Sequence, residues 1–409
     1  MTKNDDKRIP ALRFKGFNDD WAQRKLGDYI TVNKIKNKEN NHFIPYSISN
    51  KWGFIPQEKQ FGEGNTYSKT NKATNYIVEP NTFAYNPARI NVGSIAYQNN
   101  QFPVIVSSLY EIFKAKKNLN DEFLMNWFKT EKFTRQIQKL QEGGVRQYFF
   151  IDKMQESRIT IPFISEQEEI SKTLNQISNL IKLQQRKTEQ LKLLKKAMLQ
   201  KGFTNKSAPT LRFKGFSKAW TEYPLGNLGK ACSGYGFPNS EQGGNKGIPF
   251  YKVSDMNLAG NEDEMIYANN YVTDAQIDRN NWKPIVDVPA IFFAKVGAAV
   301  LLNRKRLCKR PFLLDNNTMA YSLNKNILST QFTKSLFETI NLPSFIQVGA
   351  LPSYNTNDIE SIKVKIPKID EQEKIGILLK KIERLITRQQ SKIKKLHSTK
   401  QFLLQNMFI

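Results

Sequence analysis

Leu12-Arg13-Phe14-Lys15-Gly16-Phe17 recurs letter for letter as Leu211-Arg212-Phe213-Lys214-Gly215-Phe216. The match runs on through Trp21 and Trp220 to Leu26-Gly27 and Leu225-Gly226. A second pair of motifs closes each copy. Ile161-Pro162 followed by Glu166-Gln167-Glu168 returns as Ile366-Pro367 followed by Glu371-Gln372-Glu373, and two long helical patterns then run in register to Phe203 and Phe408. Matches at both ends of both units make the chain a tandem duplication, a feature that decides the architecture before any single element is assigned. Between the ends, residues of about 30–160 and 230–365 show no clear similarity. A kept frame around altered interiors is expected of two modules doing one kind of task on different targets.

The helices that follow each copy are read from their starts. Ser165 and Asp370 fall at expected N-cap positions, with Glu168 and Glu373 three residues on, the capping-box pattern. Apolar residues then recur at steps of four and three: Ile170, Leu174, Ile177, Ile181, Leu191 and Met198 in the first helix. The second has Ile375, Leu379, Ile382, Ile386, Ile393, Leu396 and Leu403. Sustained heptads predict a coiled coil, and Gln184 and Gln389 interrupt each seam at a point where a polar residue sets register. Only residues 204–209 separate the first helix from the second copy's opening motif, so the second helix is expected to start near the end of the first. An antiparallel pair results. At 1.5 Å per residue, about 33 residues give a rod of roughly 50 Å, long enough to hold the two variable interiors well apart.

Inside the copies, Pro103–Ser107, Ile159–Pro162, Ala290–Ala294 and Ile362–Ile366 read as strands between Gly-, Asn- and Pro-rich turns. One amphipathic helix is expected over Asp121–Gln141 and another around Ser329–Ile340. The fold class is therefore α+β: two mixed α/β domains with curved sheets and long loops, joined by an antiparallel helix pair in a pseudo-twofold duplication. The expected divisions are 1–16, 17–160, 161–216, 217–365 and 366–409.

Composition points to a polyanion as partner. Of 409 residues, 62 are Lys or Arg against 37 Asp or Glu, a formal charge of +25. Such an excess attracts nucleic acid or an anionic surface. No stretch reaches the roughly 18 apolar residues that cross a bilayer, and Met1–Asp6 lacks the apolar core of a signal peptide. A cytoplasmic chain with no membrane partner is expected. Two cysteines, Cys232 and Cys308, stand without CxxC or Cys/His spacing, which disfavours a zinc site or disulfide framework.

The duplicated Ile-Pro…Glu-Gln-Glu-x-Ile signature, the helices after it and the two variable interiors resemble the specificity subunits of Type I restriction–modification enzymes over the full length. Gly143-Gly144-Val145-Arg146-Gln147 resembles the segment that ends a recognition domain in that family. The second copy departs there, with Gly349-Ala350-Leu351-Pro352-Ser353. The resemblance implies that each domain reads one half of a bipartite, asymmetric double-stranded DNA target and that the helices set a non-specific spacer. It also implies docking of two adenine-methylating modification subunits, joined by restriction subunits with motor and nuclease activity. S-adenosylmethionine, ATP and Mg²⁺ would belong to those partners, leaving this chain without cofactor or catalytic residues.

A search for chemistry agrees with that division of labour. No GxxxxGK[ST] loop occurs. Asn86-Pro87-Ala88-Arg89 is half of an adenine-methylase motif, lacking the second proline and the aromatic, and reads as a turn. Asp370-Glu371-Gln372-Glu373 could hold Mg²⁺ in a nuclease, but capping accounts for the same letters. His42 and His397 are too few for histidine-based hydrolysis. Basic residues carry more: Arg304, Lys305, Arg306, Lys309 and Arg310 form the densest cluster and are candidate phosphate contacts. Base reading needs forked or amide side chains. The candidates are Ser49, Asn50, Lys51, Arg89, Asn91, Arg146 and Gln147 in the first domain, and Lys252, Ser254, Asp255 and Asn257 in the second. Lysines such as Lys192, Lys195, Lys196, Lys392, Lys394 and Lys395 are expected on the outer face of the helices. A free-standing DNA-binding regulator and a self-sufficient nuclease are the alternatives from other classes.

Overall fold

A computed structural model describes residues 9–62, 72–143, 147–203, 208–346 and 352–409. They fall into two compact units, 1–185 with 391–409 and 186–390. The partition cuts each long helix near its middle.

Each unit closes its own ends. Ala22–Lys25 pairs antiparallel with Arg158–Ile161 in the first, and Thr221–Pro224 with Lys363–Ile366 in the second. The opening and closing motifs of each copy thus lie side by side in space, which accounts for the repetition of both. The repeated Leu-Gly that follows has a steric cause. A Cβ on Gly27 would stand 3.0 Å from the Gln155 side chain, and one on Gly226 would stand 3.2 Å from Glu360.

The divergent interiors share a sheet. In the first unit Ile30–Val32, Glu111–Ala115, Thr82–Tyr85 and Ile95–Gln98 lie in that order, all antiparallel. In the second, Gly229–Ser233, Thr318–Leu323, Ala290–Ala294 and Lys305–Cys308 repeat the order and the directions. In both, the sheet's first strand in sequence pairs with its last. The smaller sheets differ. In the first unit Ile35–Lys36, Tyr76–Val78 and Val104–Val106 pair antiparallel throughout. In the second, Ile248–Tyr251 pairs antiparallel with Tyr271–Val272 but parallel with Leu313–Leu314.

The expected helix over Asp121–Gln141 is two helices, Asp121–Trp127 and Glu131–Leu140. Thr130 breaks it: its hydroxyl accepts the Phe133 N–H as a new N-cap, so the chain restarts rather than continuing. The second unit keeps one helix, Thr330–Thr339.

The long helices span Ile164–Gly202 and Ile369–Asn406. Both begin earlier than the capping-box reading requires. Phe163 and Lys368 supply the first carbonyls, which places Ser165 and Asp370 inside the helix rather than at its cap. The Glu-Gln pair that follows serves a different purpose. Arg13 makes a forked contact to Glu166, Nε to Oε1 at 2.7 Å and Nη2 to Oε2 at 2.8 Å, and Arg212 repeats it on Glu371 at the same distances. Gln167 accepts the Asn120 N–H and donates to the Pro162 carbonyl; Gln372 accepts from Ser329 and donates to Pro367. One repeated pair of side chains therefore ties each helix start to the opening motif, the closing strand and the domain helix. The carboxylates of Glu166 and Glu371 are thereby engaged by arginine.

Within each unit the two helices run antiparallel. In the first, Ile170 and Leu174 share a core with Leu404, Met407 and Phe408, while Ser178 meets Lys400. In the second, Lys195 meets Glu383, and Phe203 packs on the core that also receives Ile375. Phe408 lies 5.0 Å from Phe123, and Phe203 lies 5.2 Å from Phe332, ring centre to ring centre. Each helix thus ends as an apolar plug in the core of a unit. Burial follows the heptads: Ile170, Leu174, Ile181, Leu379, Ile382 and Gln389 are buried. Ile177, Gln184, Leu191, Ile375, Ile386, Ile393 and Leu396 are partly covered. Thr188, Lys195 and Lys400 continue the same steps, so the seam holds more polar positions than its apolar residues indicate. Lys192, Lys196, Lys392, Lys394 and Lys395 are exposed on the outer face, but Lys195 turns inward to its carboxylate partners.

Candidate nucleic-acid interface

In the first unit the structure brings two sequence-distant candidate groups together. Tyr46–Ser49 and Gly53–Pro56 form a hairpin with Asn50, Lys51 and Trp52 at its tip. Ser49 Oγ accepts the N–H groups of Lys51 and Trp52 at 3.2 and 3.3 Å, and Gly53 takes φ +67°, which only a residue without Cβ adopts easily. Beside it stands the turn holding Arg89 and Asn91. Ser94 Oγ donates to the Ile48 carbonyl at 2.9 Å, and the Cβ direction of Gly93 meets Asn50 at 3.9 Å. The half-methylase motif is a turn, with Asn86 Oδ1 accepting the Ala88 N–H. Asn50, Lys51, Arg89 and Asn91 are all exposed on this edge.

Trp52, absent from the sequence-based candidates, is the outstanding side chain there. It is 66% exposed, and the Lys51 ammonium sits 4.7 Å from its ring centre. An exposed indole beside a cation offers a base or sugar a flat apolar face with charge at its rim. The signal is present in the letters: Asn-Lys-Trp-Gly between two β-prone runs is a hairpin tip. Gln147 is exposed, apart from this edge in the sequence, and Arg146 lies outside the described residues.

In the second unit the candidates divide by how they are held. Asp255 is fully buried; its carboxylate accepts the Lys252 N–H at 2.8 Å and both the N–H and the side-chain amide of Asn269. That shell organises the Val253–Asn257 turn. Lys252 itself donates to Gln242 at 3.1 Å. Asn257 and Arg304 are brought together, with Arg304 Nη1 donating to Asn257 Oδ1 at 2.7 Å, and Ser254, three residues before Asn257 on the same turn, is exposed. Lys305 turns inward onto the Ile340 carbonyl and Asn303, and burial pulls its pKa down to about 8 against the opposing charge of Glu338. Arg306 donates to the carbonyls of Asn261 and Lys305, while Lys309 pairs with Glu264. Of the five-residue cluster, Arg310 is exposed and Arg304 is displayed through Asn257. A run of basic letters does not reveal which cations fold back on their own domain.

Among the described residues no group of three His, Cys, Asp or Glu is placed to hold a metal ion, and no helix is long and apolar enough to cross a membrane.

The family model for the Type I restriction modification DNA specificity domain matches this chain twice, over residues 18–193 and 217–397. A Type I restriction enzyme MjaVIII specificity subunit from Methanocaldococcus jannaschii is 23% identical over 401 residues, covering 90% of this chain and 87% of its own. A putative Type I restriction enzyme MjaX specificity subunit from the same organism is 24% identical over 410 residues, covering 90% and 88%. Among solved structures, a Type I restriction-modification S subunit from M. genitalium superposes with TM-score 0.60 at 15% identity, covering 98% of this chain and 99% of that one. Two family domains in tandem, on a duplicated frame with one shared clamp, place this chain in the family of Type I restriction–modification DNA specificity subunits.

Proposed function

We propose that this chain selects the DNA target of a Type I restriction–modification complex, each recognition domain reading one half of a bipartite, asymmetric sequence. The helices set the non-specific spacer and receive the modification subunits, while methylation and cleavage, with S-adenosylmethionine, ATP and Mg²⁺, reside in partner subunits. One observation carries the reading: an identical Arg–Glu and Gln clamp repeats in both units while the exposed loops of the two domains differ. The duplication keeps the mount and varies what it presents. In the first domain the reading edge is Asn50, Lys51, Trp52, Arg89 and Asn91; in the second it includes Asn257 and Arg304. Arg and Asn side chains at groove edges discriminate guanine and adenine respectively.

Exchanging residues 17–160 for the domain of another family member tests this. Methylome sequencing of cells carrying the exchanged chain is expected to show one half-site altered and the other retained. Alteration of both half-sites defeats the modular reading. Tight sequence-selective binding by the unpartnered chain, equal to that of the complex, points instead to a free-standing regulator.

A further inference from the structure

The two units place polar clusters at corresponding positions, neutralised by carboxylates in the second and, among the described residues, without them in the first. In the second unit, Lys195 on the first long helix bridges Glu383 and Glu338, each at 2.6 Å. Lys334 reaches Glu383 at 2.8 Å and also pairs with Asp263. Burial acts to lower the pKa of both lysines, but the surrounding carboxylates outweigh it and raise them. Lys195 and Lys334 hold the Glu383 carboxyl below its usual range in spite of its own burial. The cluster is charged and internally neutralised.

The duplication identifies the counterpart positions in the first unit. Along the long helices, Glu166, Ser178 and Phe203 correspond to Glu371, Glu383 and Phe408, and Lys195 to Lys400. In the domains, Asn120 corresponds to Ser329, since each donates its N–H to the clamp glutamine; Lys129 then stands where Glu338 does. Both carboxylates are replaced, one by a hydroxyl and the other by an ammonium. Lys400 Nζ donates to Ser178 Oγ at 2.7 Å. Burial lowers the pKa of Lys400, and the charge of Lys182 lowers it further. Lys129 and Lys182 keep contact with solvent, so the cluster is open to an outside ion. Among the described residues, Lys129, Lys182 and Lys400 form no ion pair with a carboxylate, in contrast to Lys195.

We propose that Lys129, Lys182 and Lys400 form an anion site that takes a phosphate of the DNA backbone, supplying from outside the charge that Glu338 and Glu383 supply within the other unit. The proposal rests on the DNA-recognition reading above. Ser178 Oγ gives its own proton to the Leu174 carbonyl and accepts from Lys400, so the donors offered to an oxyanion are the ammonium groups of Lys400, of Lys182 one helical turn beyond Ser178, and of Lys129, and the chain's overall charge of +25 draws a duplex toward them. A contact of this kind carries no sequence information and adds to salt-dependent affinity.

The test uses the full chain, a non-specific duplex and inorganic phosphate. Replacing the trio by glutamine (K129Q, K182Q, K400Q) is expected to reduce the slope of log affinity against log salt by about 1, the loss of one phosphate contact. Phosphate is expected to raise the Tm of the unmodified chain above chloride at equal ionic strength, and not that of the variant. Ser178→Glu provides an independent arm: a carboxylate facing Lys400 should lower the slope in the same way without lowering Tm. An unchanged slope in two folded variants overturns the proposal. So does an unchanged slope accompanied by weaker assembly with modification subunits, which assigns the lysines to an acidic protein surface. Phosphate stabilisation lost in the variant, in a chain that binds no duplex, keeps the anion site and overturns its assignment to DNA.

Discussion

Arg212→Ala is the most informative single change for stability, because its partner is buried and its counterpart in the other unit is differently supported. The Glu371 side chain is 2% exposed and accepts two short hydrogen bonds from Arg212. Removing one partner of a buried pair costs about 3–5 kcal/mol, since the other charge stays desolvated. The helix N-terminus offsets roughly 0.5–1 kcal/mol of that. The net loss expected for Arg212→Ala is therefore about 2–4 kcal/mol. Arg13→Ala leaves Glu166 with a hydrogen bond from Trp21 Nε1 at 3.2 Å, a bond that Trp220 does not make to Glu371. A long hydrogen bond to a carboxylate contributes about 1 kcal/mol. Arg13→Ala should thus be milder by that amount. At about 2–4 °C per kcal/mol for units of this size, Arg212→Ala lowers the transition of the second unit by roughly 4–16 °C, measurable by calorimetry of the full chain. Adding Glu371→Gln removes the stranded charge, so the double variant R212A/E371Q is expected to recover part of the loss. Equal effects of the two arginine changes, together with a double variant no better than R212A, would falsify the account of a stranded buried carboxylate.

Further outcomes follow from the same geometry. Trp52→Ala should weaken DNA binding by about 0.5–1 kcal/mol through loss of the indole face and its cation–π contact with Lys51 at the groove, with Tm unchanged because the side chain is largely exposed; a gel-shift titration beside a melting curve reads both. Gly376→Ala should destabilise in spite of the higher helix propensity of alanine, because the new Cβ would meet Phe332 N at 2.8 Å and Gln331 Cβ at 2.9 Å; chemical denaturation measures it. Inserting one heptad in both long helices should lengthen the spacer of the methylated site, by about 10 Å of helix, and leave both half-sites intact. Lys129 keeps some solvent contact, but the protein crowding its ammonium, with Lys400 and Lys182 adding to the effect, holds its pKa down to about 8. A base with a lowered folded pKa leaves the unfolded chain holding more protons between that value and about 10.4, so stability attributable to it rises with pH across that window. Lys129→Gln should flatten that rise relative to the unmodified chain, as read by denaturation at a series of pH values.

The duplication, the helical frame and the mixed domains are legible in the letters because they rest on periodicity and on exact repetition, both local properties. Asp121–Gln141 shows where periodicity misleads: its apolar spacing is continuous, but Thr130 restarts the backbone through a cap that pattern counting does not weigh. The Glu-Gln of each closing motif is open to a purely local reading as a cap, whereas their partners Arg13 and Arg212 lie 153 and 159 residues away in the chain. Likewise the sequence displays Lys305, Arg306 and Lys309 as one basic run, and only packing turns them onto carbonyls and Glu264. The adjacency of Asn50 with the Gly93 turn, and the contrast between the paired Lys195 and the carboxylate-free Lys400, also belong to the tertiary structure alone. Hydrophobic periodicity is written into consecutive residues; hydrogen bonds and charge pairs between distant residues exist only once the chain has closed on itself.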